Sequence, residues 1–133
     1  MSLEAAIHDR WAGAAALVAL LPAAAVFTGA ARGNVSLPYV VLVREGETPR
    51  TRTSSLTEVS EIVVRFEIYA AELDVGKAIA EAIRVAFNRQ GFALAIGTCL
   101  VMQGTSEQEQ PAADGTWMVT ASYLARVAVP VAS

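Results

Sequence analysis

In Glu61-Ile62-Val63-Val64-Arg65-Phe66-Glu67-Ile68-Tyr69-Ala70, the large apolar side chains Ile62, Val64, Phe66 and Ile68 recur at every second position. Glu61, Val63, Arg65, Glu67 and Tyr69 fall between them. A strand sends alternate side chains to opposite faces, so this pattern predicts a strand with one apolar and one mostly polar face. Asp74 follows where a helix N-cap belongs, its carboxylate placed to accept from the free amides of a first turn. Val75, Ile79, Ala82, Ile83, Ala86 and Phe87 then recur at helical spacing, and Gly91 stands where a C-terminal cap would close the run. A sheet and a helix that each carry one oily face must cover one another. Residues 59–89 are therefore the expected core. They hold no arrangement suited to chemistry, so function is expected from the outside of this unit.

The 133 residues suit one domain around a single core. Hydrophobic residues make up 54% and charged residues 17%, an apolar balance rich in alanine. Such a chain predicts small-residue packing and permits a subunit whose surface is partly buried by neighbours. The net charge of −3 is mild, whereas a general nucleic-acid binder is clearly basic. One cysteine, Cys99, rules out an intrachain disulfide, and with one histidine, His8, far away in sequence it makes no zinc site. Cys99 reads as a small buried hydrophobe and His8 as a helix-surface residue.

Residues 11–27 are uncharged, but no basic region precedes them as in a secretory signal. Leu3, Ile7, Trp11, Ala14, Val18 and Leu21 keep one helical stripe up to Pro22, and the apolar run is shorter than the roughly 20 residues of a membrane span. A buried helix is expected there, capped by Ser2. Residues 26–29 form a short strand or link, and Gly33-Asn34 marks a turn. Strands are expected at 37–44, 61–70, 98–104 and 116–129, with polar connections at 45–57 and 106–114. On the last strand Trp117, Val119, Ala121, Tyr123, Ala125 and Val127 share the apolar face. The predicted fold class is α+β: a mainly antiparallel sheet of four to five strands packed against two helices, in the order α-β-β-β-α-β-β.

The connection at 45–57 and the residue before it are basic: Arg44, Arg50 and Arg52 lie among Thr48, Thr51, Thr53, Ser54 and Ser55. Arginine and hydroxyl groups suit phosphate and carboxylate equally, and a solvated hairpin loop is the plain alternative. The connection at 106–114 carries Glu107 and Glu109 as a possible complement, able to join neighbouring copies head to tail. Arg65 and Glu67 on the polar face of the central strand are the remaining candidates for subunit or partner contact. No phosphate loop, nucleophile elbow or metal-ligand spacing occurs.

Several segments carry a resemblance. An N-terminal helix ends in Leu20-Leu21-Pro22, and Val26-Phe27-Thr28-Gly29 follows. Then come Leu37-Pro38-Tyr39-Val40-Val41, Thr53-Ser54-Ser55, Arg65-Phe66-Glu67-Ile68-Tyr69-Ala70, Ala78-Ile79-Ala80-Glu81-Ala82-Ile83 and a long last strand. In this order they resemble the tail-completion or tail-terminator proteins of long-tailed bacteriophages, prophages and gene-transfer-agent relatives, over nearly the whole chain. The resemblance implies one tail-terminator-like α+β domain over 1–133 and a structural virion protein made in the bacterial cytoplasm. It implies a ring, typically hexameric, at the head-proximal end of the tail, touching the tail tube protein and the head connector or stopper. DNA passes through the lumen without sequence-specific binding. No enzyme activity, catalytic residue, cofactor, metal or membrane partner is implied. The competing readings are another neck or head-completion protein and a small non-enzymatic ligand-binding domain.

Overall fold

The computed structural model describes residues 3–31, 35–52 and 57–130, with the backbone alone at 49–52. Among them are three α-helices, α1 (Leu3–Gly13), α2 (Ala15–Leu20) and α3 (Leu73–Phe87), and six strands. The strands are β1 (Val26–Thr28), β2 (Tyr39–Arg52), β3 (Thr57–Ala70), β4 (Gln90–Ala93), β5 (Thr98–Pro111) and β6 (Trp117–Pro130). They form one sheet in the order β1-β2-β3-β6-β5-β4. Every neighbouring pair is antiparallel except β1 and β2, which are parallel.

β3 and β6 are the centre. They pair from Thr57↔Pro130 to Ala70↔Trp117 without a register shift. Along β3 burial alternates as the sequence predicts, with Ser60, Ile62, Val64, Phe66, Ile68 and Ala70 buried and their neighbours half-buried. Val119, Ala121, Tyr123, Ala125 and Val127 of β6 lie on the same buried side. Phe66 sits in the middle, its ring 5.6 Å from Phe87 of α3, 5.6 Å from Tyr123 and 6.4 Å from Trp11 of α1. Burying each such side chain contributes about 1.5–3 kcal/mol, so this layer holds the helices to the sheet. Trp11 Nε1–H donates to the Leu21 carbonyl at 2.9 Å, satisfying the one polar atom that burial of the ring would strand. Gly76 lets α3 approach β6 closely: a Cβ there would lie 2.9 Å from Val119 Cγ2.

The sheet is larger than predicted, with six strands rather than four or five and three helices rather than two. The first helix breaks at Ala14, which is extended (φ −96°, ψ 103°). The buried stripe then passes to Leu17, and Val18 is exposed. α3 is capped by Glu72 without a side-chain hydrogen bond, and Asp74 lies inside the first turn. Val75 is exposed, and Gly76 takes the buried position. At the other end Asn88 is the cap and Arg89 takes the positive φ of 61°. Gly91 belongs to β4 instead of capping α3, and a Cβ there would stand 2.6 Å from the Leu100 carbonyl oxygen.

The polar stretches at 45–57 and 106–114 are mostly strand. β2 stays paired with β3 as far as Arg52↔Glu58, and β5 stays paired with β6 as far as Pro111↔Trp117. The described side chains at 45–48 and 106–111 are exposed, so no alternating burial betrays the strand there, while the backbone ladder continues. Ser2, Gly33-Asn34 and Thr53-Ser54-Ser55 lie outside the described residues.

Candidate functional site

The helices cover one face of the sheet, leaving its other face, two partly unpaired edges and two ends. β1 covers β2 only from Val40 to Leu42, so the outer edge of β2 from Val43 to Arg52 has no described strand beside it. β4 covers β5 only as far as Met102, so β5 from Gln103 to Pro111 likewise has no described strand on its outer side. These free segments lie on opposite edges and toward opposite ends. Arg52 is level with Glu58 at the hairpin end of β3, whereas Glu107 and Glu109 are level with Phe66 and Ile68 toward its far end. The basic and acidic sets singled out in the sequence are therefore kept apart within one chain. The side chains of Arg50 and Arg52 lie outside the described residues.

Arg44 is committed internally. Its Nη2–H and Nε–H donate to Glu4 of α1 at 2.8 and 2.9 Å, and Nη1–H donates to Glu47 at 3.0 Å. Burial pulls the Glu4 carboxyl upward, but the hydrogen bonds and charge of Arg44 outweigh it and leave the group below its ordinary value. The pair ties α1 to β2. On the open face Arg65 bonds Glu67 at 2.8 Å and reaches Glu45 at 3.4 Å. Glu61 pairs across the sheet with Arg126 at 3.3 Å. The polar face of β3 is thus largely charge-neutralised, as its alternating signs predict.

An aromatic row not foreseen from the sequence crosses this face. Tyr39 and Tyr69 stack at 4.9 Å, and Phe27 meets Tyr39 edge-on at 6.3 Å. Tyr69 O–H donates to Glu67 at 3.2 Å, and burial, then the Glu67 charge, push its pKa up to about 12. The signal was there in Phe27, Tyr39 and Tyr69, but their adjacency needs the β1-β2-β3 register.

At the acidic end, Glu109 reaches Lys77 of α3 at 3.4 Å. Glu107 borders a shallow groove of about 220 Å³ with Arg84, Asn88, Gly104 and Tyr123. A larger open groove of about 520 Å³ runs between α1 and β4, lined chiefly by alanines with Asp9, Arg10 and Phe92. Arg10 closes its inner side by donating from Nε to the Ala86 carbonyl at 2.8 Å and lying over the Phe92 ring at 5.4 Å. Cys99 is fully buried, and burial pushes its thiol up to about 11. His8 Nε2 lies 3.4 Å from Thr28 Oγ1. Among the described residues no three His, Cys, Asp or Glu side chains gather as metal ligands.

No curated protein sequence matches the chain. A chain of a solved structure titled "Virion of native gene transfer agent (GTA) particle" has the same fold, with a TM-score of 0.77 at 22% identity over 96% of this chain and 95% of that one. Residues 5–128 match the family described as Tail completion protein gp17. That span takes in all but the first two residues of α1, every fully buried core residue except Leu3 and almost all of β6, and the chain belongs to the tail completion protein gp17 family.

Proposed function

We propose that the protein is a tail terminator. Copies close into a ring at the head-proximal end of the tail tube, stop its polymerisation and join it to the head connector. The family is one of structural proteins of the virion tail, and that membership over residues 5–128 carries the reading. The architecture supports it. A head-to-tail ring needs two different surfaces on each copy, and the basic end of β2 and the acidic end of β5 lie on opposite edges and at opposite ends of the sheet. Arg44, Arg50 and Arg52 on one edge and Glu107 and Glu109 on the other lie at the contact between neighbouring copies, with Arg65 and Glu67 bordering it. The ring has six copies, as the resemblance to tail terminators implies, and DNA passes through it without base-specific contact. The role is structural and uses no catalytic residue or cofactor.

Deleting the gene and measuring tails by electron microscopy tests this. The expected result is tails of uncontrolled length without heads, with normal tails restored by the gene in trans. Tails of normal length still joined to heads would refute it.

A further inference from the structure

We propose that the copies join through their backbones, the free edge of β5 in one subunit adding as a strand to the free edge of β2 in the next, so that one sheet runs around the assembly. The inference rests on the ring reading and specifies its contact. Three hydrogen bonds define which backbone groups face outward. The Leu42 carbonyl accepts from Gly29 N–H, the Met102 carbonyl accepts from Arg89 N–H, and Gly104 N–H donates to Asn88 Oδ1. Each of these groups points away from its partner strand in the sheet. Leu42 and Arg44 pair with alternate residues of β3, Phe66 and Val64, and Glu47 pairs with Ile62 in the same series. Gly104, Glu107 and Glu109 pair with Tyr123, Ala121 and Val119, also alternate residues. The outward groups are therefore those of Arg44 and Glu47 on β2, and of Glu107 and Glu109 on β5.

The prolines fit this register. Pro49 pairs with Ser60 and Pro111 with Trp117, so each stands in the outward series, where no N–H is needed by the chain's own ladder. Between these prolines the amides and carbonyls of Glu107 and Glu109 have no described strand to bond. Such a row is a template for another strand.

The geometry of a ring agrees. β2 and β5 run in opposite senses in the sheet, so a rotated copy presents them to each other antiparallel. The outward residues of both edges pair with buried residues of β3 and β6, so joining them keeps the helix layers on one side. Glu109 is level with Ile68, while Arg44 and Glu47 are level with Val64 and Ile62. Bringing Glu109 opposite either one offsets neighbouring copies by four to six residues along β3, or about 13–20 Å. Four full-length strands span about 19 Å across the sheet. The resulting slope is about 35–45°, the tilt at which strands close into a barrel by rotation alone. β4 then comes to the Arg52 end of the neighbour's β2, and the neighbour's β1 lies beyond the Pro111 end of β5. Charge favours the register that puts Glu109 opposite Arg44, because residues 103–111 carry Glu107 and Glu109 and no basic residue. β2 carries Glu45 and Glu47 as well as Arg44, Arg50 and Arg52, so the backbone row rather than net charge carries the join.

The test separates backbone pairing from charge. Glu109→Pro removes an amide that the subunit does not use, and Glu109→Ala removes only the carboxylate. Assembly is measured by mass in solution and by incorporation into particles made without the protein. The expected result is that Glu109→Ala assembles and that Glu109→Pro, with an unchanged circular dichroism spectrum, does not. In a Cys99→Ala background, Glu109→Cys combined with Arg44→Cys or Glu47→Cys should give a ladder of multimers with a short bis-maleimide, and each single variant none. The cross-link decides the matter should Glu109→Pro fail to fold. Incorporation of Glu109→Pro at the wild-type level, or wild-type-like assembly without any such cross-link, overturns the edge contact and leaves the ring standing. Failure of the wild-type chain to incorporate at all overturns the ring reading together with the contact.

Discussion

Replacing Phe66 by alanine and, separately, Arg65 by alanine perturbs two consecutive residues on opposite faces of β3. Phe66 is fully buried and touches rings from α1, α3 and β6. Truncating a buried phenylalanine costs about 3–5 kcal/mol, the sum of lost transfer energy and the cavity left behind. Three aromatic partners converge here, so the upper half of that range, about 4–5 kcal/mol, is expected. A chain of this size has a total stability on the order of 7–20 kcal/mol, so the variant stays folded but marginal. Arg65 is about a third exposed and its partners Glu67 and Glu45 are also in reach of water, so its loss costs about 1 kcal/mol or less. Urea unfolding followed by circular dichroism reads both. With a slope of about 2 kcal/mol per molar, Phe66→Ala should lower the midpoint by about 2 M and Arg65→Ala by about 0.5 M or less. Equal shifts, or a larger one for Arg65→Ala, would mean that the faces of β3 are assigned the wrong way round.

Two further outcomes follow from local geometry. Gly91→Ala should destabilise the fold by about 1–3 kcal/mol, because its Cβ would meet a backbone carbonyl 2.6 Å away in β5; an unchanged urea midpoint would refute that contact. The phenols of Tyr69 and Tyr123 are pushed up to about 12, chiefly by burial, and an unfolded tyrosine titrates near 10. The folded chain then holds protons that the unfolded chain releases, so this stability is fully present below about pH 10 and is lost as the pH rises toward about 12. Replacing both residues by phenylalanine should flatten the decline in urea midpoint over that window, and an equally steep decline in the double variant would refute the assignment.

The strand at 61–70, the last strand and the α3 stripe are legible in the chain because each buries one face, and burial on one face writes a period of two or 3.6 into the residues. Phe66 could be assigned to the core on that ground alone, and the opposite signs of Arg65 and Glu67 already predicted their pairing. The order of characteristic segments also carried the family. What has no periodic signature is structure held by backbone pairing at a free edge. The outer halves of β2 and β5 are polar on both faces, so they read as loops although their ladders are unbroken by any turn. β4 is four residues whose place depends on β5, and the parallel join of β1 to β2 depends on where the first helices deliver the chain. The same holds for the candidate contact. Arg50, Arg52, Glu107 and Glu109 could be named from composition, but their placement on opposite edges and ends follows from strand order and register. Those are set by which backbones pair, and a backbone hydrogen bond is nearly blind to the side chain it passes.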